Sequence, residues 1–166
     1  DKMTLSAKDL IDSLNETHQV GVVEFHRPDE PPALLHAFTT YKNAAKEAID
    51  NFSYGKIYRD FSSCWDAVHK GLKQFPEKPD PNVFKTLAFL SDGFDNSSFN
   101  TPDDVIALAK ERDVHIYALG IGSGKEEKVL ETIALETGGT YVHSENINVL
   151  RERFKQIIKD IKGQYK

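Results

Sequence analysis

The sequence predicts an α/β fold with a doubly wound, mostly parallel sheet, one antiparallel edge strand, and helices on both faces. In the second half of the chain, short apolar runs alternate with helical patterns, which is typical of parallel strands joined by crossover helices. In the first half, two apolar runs follow each other closely, as in a hairpin. The 166 residues are 39% hydrophobic and 28% charged, a globular composition that suits one domain.

The first half of the chain predicts a helix, a hairpin and two further helices. Apolar residues recur at helical spacing from Met3 to Leu14. The apolar runs 20–25 and 33–38, separated by a proline-rich turn, predict adjacent strands at a sheet edge. Helical spacing then returns over 41–52 and 64–75.

The second half predicts strands and helices in strict alternation. A buried-type strand over 83–90 ends in the sequence Ser-Asp-Gly. Thr101 as N-cap, Pro102 in the first turn and Asp104 as the third helical residue mark the start of a helix that runs to about residue 112. The remaining predicted elements are a strand over 114–121, a helix over 126–136, a strand over 140–142 and a helix over 150–161.

Charge and composition exclude several classes of partner. The formal net charge of −5 comes from interspersed acidic and basic residues without a basic stripe, so we expect no nucleic-acid partner. No apolar run approaches the roughly 18 residues that span a bilayer, so we expect no direct membrane insertion. Cys64 is the only cysteine, which rules out an internal disulfide, and its apolar helical position predicts a packing role.

Several segments resemble the von Willebrand factor type A domain. LAFLSDGFDNSS is similar to the fourth strand and following loop of that family, and HIYALGIGSG is similar to its fifth strand. LETIALETGGTYVHSENINVLRERF resembles its final helix, strand and helix. The resemblance covers essentially the whole chain in order. It implies a Rossmann-like single domain over residues 1–166, joined to other domains of a longer polypeptide.

The resemblance also implies a divalent-cation site at the carboxyl edge of the sheet. Asp92 matches the aspartate of the family's T-D-G motif, and aligning SSCWDAV with T-N-x-x-D-A-L places Ser62 at the threonine, or Ser63 after a slip of one residue. Such a site would hold Mg²⁺, or Mn²⁺ or Ca²⁺, and bind a protein that offers Asp or Glu as a further ligand. The candidates for partner-binding or supporting residues are Ser63, Gly93, Asp95 and Asn96.

One family feature is missing from this sequence. No D-x-S-x-S motif occurs, and no apolar strand precedes the first helix. In the family that strand lies in the middle of the sheet, and its loss would leave unpaired backbone groups that cost about 1 to 3 kcal/mol each. We therefore expect the strand and its motif to lie upstream of Asp1, and we expect the cation only if they are present.

Each candidate also has a simpler interpretation. Asp92 and Gly93 suit an ordinary turn, Ser62 suits an N-cap, and the polar loop that holds Asp95 and Asn96 suits solvation alone. A type A scaffold with a vestigial metal site would bind proteins without a cation. A phosphate-binding enzyme built on the loop 120–125 is a further alternative, but its lysine precedes two glutamates and the P-loop spacing fails. No catalytic motif occurs, so we expect no enzyme.

Overall fold

The computed structural model describes residues 2–25, 31–52, 62–91, 95–121, 127–144, 146, 148–149, 152–153, 155–157 and 159. Helices and strands follow one another in the predicted order. The bounds are α1 Lys2–Ser13, β1 Val20–Glu24, β2 Ala33–Thr39, α2 Lys42–Asn51, α3 Cys64–Leu72, β3 Lys85–Ser91, α4 Pro102–Arg112, β4 Val114–Ile121, α5 Glu127–Glu136 and β5 Tyr141–Ser144. Where a final helix was predicted over 150–161, the described residues 152, 153, 155–157 and 159 are helical, and so are residues 148 and 149 just before it.

The start of α4 follows from its sequence. The side chain of Thr101 accepts a hydrogen bond from the backbone N–H of Asp104, and the Asp104 carboxylate accepts one from the N–H of Thr101. This reciprocal capping box, followed by Pro102, satisfies donors that a helix start would otherwise leave exposed. The helix ends at Arg112, and the C-cap residue Asp113 has a left-handed conformation with φ of 53°. The sequence prediction for this helix is confirmed.

The strands form two sheets in the described part of the chain. β1 and β2 pair antiparallel, as the hairpin prediction required. β3, β4 and β5 form a parallel sheet in that order, with Ser91 opposite Gly120 at the carboxyl edge. The α/β class, the parallel strands and the antiparallel pair are therefore confirmed, although no described strand joins the two sheets.

Helices α1 and α3 each bridge the two sheets. On one face, Ile11 of α1 packs with Val20 and Val22 of β1, while Leu10 and Leu14 pack with β3, β4 and β5 through their apolar side chains. On the other face, α3 packs on the parallel sheet, and Phe25, just after β1, joins the same cluster with its ring centroid 6.0 Å from that of Phe89 in β3. Helices therefore cover both faces, as predicted.

Two cationic side chains hold the carboxyl ends of helices. Lys85, at the start of β3, is 4% exposed, and its Nζ donates to the backbone carbonyl oxygen of Arg112 at 2.9 Å. Arg112 is also buried, and its guanidinium donates to the carbonyl oxygens of Lys73 and Phe75 beyond the end of α3. Cations at these positions satisfy orphaned carbonyl groups and oppose the negative end of the helix dipole.

Among the described residues, none of the helices has the length and hydropathy needed to span a bilayer.

Candidate functional site

The described candidate residues lie on two segments at the carboxyl edge of the parallel sheet. Ser62 and Ser63 precede α3, whereas Asp95 and Asn96 follow β3. The segments are joined by hydrogen bonds: the Asn96 side-chain oxygen accepts from the Ser62 N–H at 2.9 Å, and the Ser62 carbonyl oxygen accepts from the Asn96 N–H at 3.1 Å. The structure thus brings these four residues together. Asp92 and Gly93 lie outside the described residues.

The loop after β3 caps the start of α3. The backbone N–H of Trp65 donates to the Asp95 carboxylate at 3.1 Å, and that of Asp66 donates to the Ser98 hydroxyl oxygen at 3.1 Å. The Ser98 hydroxyl in turn donates to Asp95 at 2.6 Å. The N-cap residue is Ser63, whose side chain makes no capping bond. The N-cap interpretation of Ser62 is therefore wrong, because side chains from another segment supply the acceptors.

The Ser62 hydroxyl instead faces the end of β3. Its Oγ lies 3.0 Å from the Cys64 Sγ, which lies 3.3 Å from the Oγ of Ser91, the last residue of β3. Cys64 is fully buried and unoxidised, as its predicted packing role requires. Ser91 immediately precedes Asp92 in the sequence. The buried thiol therefore positions one candidate ligand next to the strand that leads into the other.

Asp66 is a second anchor of this loop that sequence reasoning missed. Its carboxylate accepts hydrogen bonds from the N–H groups of Phe99 and Asn100 and from the Asn100 side chain, at 2.6 to 3.1 Å. Burial raises the pKa of Asp66, but the hydrogen bonds from Asn100 and Phe99 and the nearby His69 together lower it by more. The pKa of Asp66 therefore lies below its ordinary value. Asp66 and Asp95 together hold the loop against α3 from two sides.

Replacing Asp66 by alanine is expected to lower the free energy of unfolding by about 2 kcal/mol at pH 7, because bonds to a charged acceptor are lost. A carboxyl group whose pKa is lower in the folded state stabilises the fold at pH values above its unfolded pKa, near 3.8. That contribution is lost as the pH falls through the lower pKa of the folded state. Urea unfolding of both proteins at pH 7 and pH 3 measures this. The difference should shrink at pH 3, and Asp103→Ala, an exposed aspartate nearby, should change little.

The described residues do not complete a cation site by themselves. None of them forms a group of three or more His, Cys, Asp or Glu side chains that could hold a metal ion. The carboxylates of Asp66 and Asp95 already accept hydrogen bonds from loop and helix N–H groups. A cation such as Mg²⁺ demands about six oxygen ligands. Of the two predicted ligands, Ser62 lies in this part of the chain, and its role as a ligand stays a prediction.

Gly120 is the first residue of the glycine-rich loop that the phosphate-binding alternative requires, and it has a packing role. A Cβ atom on Gly120 would lie 2.7 Å from the Tyr141 hydroxyl oxygen and 3.2 Å from the His143 Nδ1. The absence of a side chain at Gly120 thus lets two side chains of β5 lie across β4. Gly122, Gly124 and Lys125 lie outside the described residues.

Comparison with known proteins identifies one family. The sequence profile described as von Willebrand factor type A domain matches residues 1–156. A search of curated protein sequences gave no match.

Solved structures share the fold. The chain is similar to the conserved hypothetical protein BatB from Bacteroides thetaiotaomicron, with 18% identity, a TM-score of 0.77, and coverage of 98% of this chain and 87% of that one. Proximal thread matrix protein 1 from the mussel byssus has 24% identity and a TM-score of 0.76, over 95% of this chain and 39% of that one. A von Willebrand factor type A protein from Catenulispora acidiphila has 20% identity and a TM-score of 0.69, over 94% and 37%.

Proposed function

Because the chain belongs to the von Willebrand factor type A family, whose domains are generally protein-interaction modules, we propose that it is a non-catalytic protein-binding module. Its cation site lies at the carboxyl edge of the sheet. The cation, Mg²⁺ or a similar ion, takes an aspartate or glutamate of the partner as an additional ligand. Asp92 and Ser62 hold the cation from this chain.

The observation that carries the proposal is the position of Ser62. Its backbone is fixed by Asn96, and the acceptors that cap α3 come from Asp95 and Ser98, so the Ser62 hydroxyl has no capping role. Its contact with Cys64 places it beside the end of β3. A hydroxyl held at the carboxyl edge of parallel strands is well placed for a ligand site, because ligands bind in α/β sheets beyond these strand ends.

The remaining oxygen ligands come from a strand and D-x-S-x-S motif upstream of Asp1. The separation of β1 from β3, with α1 and α3 bridging both sheets on opposite faces, supports this part of the proposal. A strand inserted between β1 and β3 would pair with both and would be covered by the same two helices. The loop that follows it would then supply the acidic and hydroxyl ligands that the described residues lack.

Cation binding tests the proposal in the protein extended upstream to include this strand. Asp92→Ala is expected to weaken Mg²⁺ binding at least about tenfold in titration calorimetry, because a charged ligand is lost. Ser62→Ala should weaken it too, whereas Ser63→Ala should not. Asp103→Ala is the matched control, an exposed aspartate near the same loop. Native circular dichroism with unchanged Mg²⁺ affinity in Asp92→Ala would contradict the assignment.

A metal-independent scaffold is the second candidate. It requires no metal-holding group of three His, Cys, Asp or Glu side chains, and the described residues contain none. In this case the domain binds its partner through helix faces or the hairpin, and the affinity is the same with and without chelator. Partner affinity that falls on addition of EDTA would eliminate the scaffold and support the cation-dependent module.

A further inference from the structure

The loop after β3 presents an aromatic ring to solvent. The Phe99 side chain is 96% exposed, while the next most exposed large apolar residue among those described, Leu135, is 65% exposed. Single exposed apolar residues are common on protein surfaces, so exposure alone does not indicate a binding site. The surroundings of this ring distinguish it.

The backbone of Phe99 is held firmly although its ring makes almost no contacts. Its N–H donates to both oxygens of Asp66 at 3.1 Å, and Asn100 donates to the same carboxylate from its backbone and its side chain. Ser98, on the other side, is bound to Asp95. A ring on an ordered loop loses little conformational freedom when a partner binds, and pre-organised aromatic side chains of this kind often dominate binding energy.

The charge around the ring is negative. Residues 95–104 include three aspartates and no lysine or arginine, and Asp66 adds a fourth carboxylate. Asp103 and Asp104 are exposed. His69 on α3 interacts with Asp66 and Asp104, and burial and the nearby Lys73 lower its pKa, which favours the uncharged imidazole. Asp66, Asp95 and Asp104 accept hydrogen bonds from backbone N–H groups, but none of the three is paired with a lysine or arginine in the described structure. An exposed aromatic ring on an acidic loop matches the two ways in which a guanidinium group is bound, by stacking and by ion pairing.

We propose that Phe99 and the adjacent carboxylates form a docking point for an arginine side chain of the partner protein. The inference rests on the proposed role as a protein-binding module, but it does not require the cation. The guanidinium group stacks on the Phe99 ring. Asp103, four residues further along the chain, accepts hydrogen bonds from the same guanidinium group. A partner that also offers an acidic residue to the cation would then be bound at two points of opposite charge on the same edge of the domain.

Peptide titration followed by amide NMR tests the proposal, with EDTA present so that cation binding does not contribute. The probe is the capped peptide Gly-Arg-Gly, and its control is the capped peptide Gly-citrulline-Gly, which has nearly the same shape but no charge. The arginine peptide is expected to shift the amide resonances of residues 98–101, 103 and 104, and the control peptide is not. Equal shifts with both peptides, or no shifts in this segment, would overturn the proposal.

Two variants separate stacking from general attraction to acidic groups. Phe99→Leu keeps an apolar side chain without an aromatic face and should weaken arginine-peptide binding about threefold to tenfold, as expected for the loss of a cation–π contact. Asp103→Asn should weaken binding further in the double variant. Since the side chains of Phe99 and Asp103 are both exposed, neither change should alter the thermal unfolding midpoint. Unchanged affinity in Phe99→Leu would show that the ring does not bind the guanidinium. Because EDTA is present throughout, failure here leaves the cation proposal intact.

Discussion

Replacing Gly139 by alanine is expected to lower the free energy of unfolding by at least about 3 kcal/mol, because the new methyl group would meet backbone atoms that cannot rotate away. A Cβ on Gly139 would lie 1.8 Å from the carbonyl oxygen of Ile116 and 2.5 Å from its carbonyl carbon. Ile116 is fully buried in β4. The turn before β5 must therefore move away from the strand, which would also strain the bond from the Ile116 N–H to the Thr137 hydroxyl.

Thermal and urea unfolding of Gly139→Ala measure this effect, which corresponds to a fall in midpoint of roughly 6 to 12 °C for a domain of this size. Gly71→Ala is the matched control. Its Cβ would lie 2.9 Å from the Leu87 Cδ1, the end of a flexible side chain, and alanine favours the helix by up to about 1 kcal/mol. Equal stability losses at the two glycines would show that the approach of Gly139 to β4 is not constraining.

Replacing Lys85 by methionine is expected to cost about 2 to 3 kcal/mol, the second largest effect. Methionine keeps the apolar stem, but it leaves the buried carbonyl oxygen of Arg112 without the donor at 2.9 Å and removes a cation from the end of α4. The weaker contact of Nζ with the Asp113 carboxylate, at 3.8 Å, is lost as well. Because the interaction is buried, added salt should change the loss little.

Urea unfolding at low and at high salt checks the Lys85 prediction. Lys110→Met is the matched control, since Lys110 lies near the same end of α4 but forms an exposed ion pair with Glu136. Exposed pairs of this kind contribute about 0 to 1 kcal/mol. A Lys85→Met protein as stable as Lys110→Met would show that the buried ammonium group contributes nothing to the end of α4.

Local patterns in the sequence were sufficient for the order and type of the elements. The start of α4 at Thr101 and the buried runs of β3 and β4 depend on residues close together in the chain, and they were predicted to within a few residues. The prediction started β3 at Val83, whereas the strand starts at Lys85. A lysine in a buried strand is unexpected from sequence, because its partner at the end of α4 is 27 residues away.

The candidate site was less accessible to sequence reasoning for the same reason. The family resemblance suggested Ser62 and Asp92 as ligands, which stays a prediction, but a helix cap made by a distant loop has no local signature. Asp66 binds Phe99 and Asn100 across 33 and 34 residues, and Asp95 binds Trp65 across 30. The aspartate of SSCWDAV matched the family's pattern, yet its role in holding the loop follows only from the geometry.

The separation of β1 from β3 has a further consequence for the chain of 166 residues in solution. In the described structure each of these strands is hydrogen-bonded on a single side, and backbone N–H and C=O groups on an open border attract other extended segments. As long as these backbone groups are unpaired, strands of neighbouring molecules can form hydrogen bonds with them. Extended segments of neighbouring molecules can therefore pair with either border, and self-association of the protein is expected to increase with its concentration.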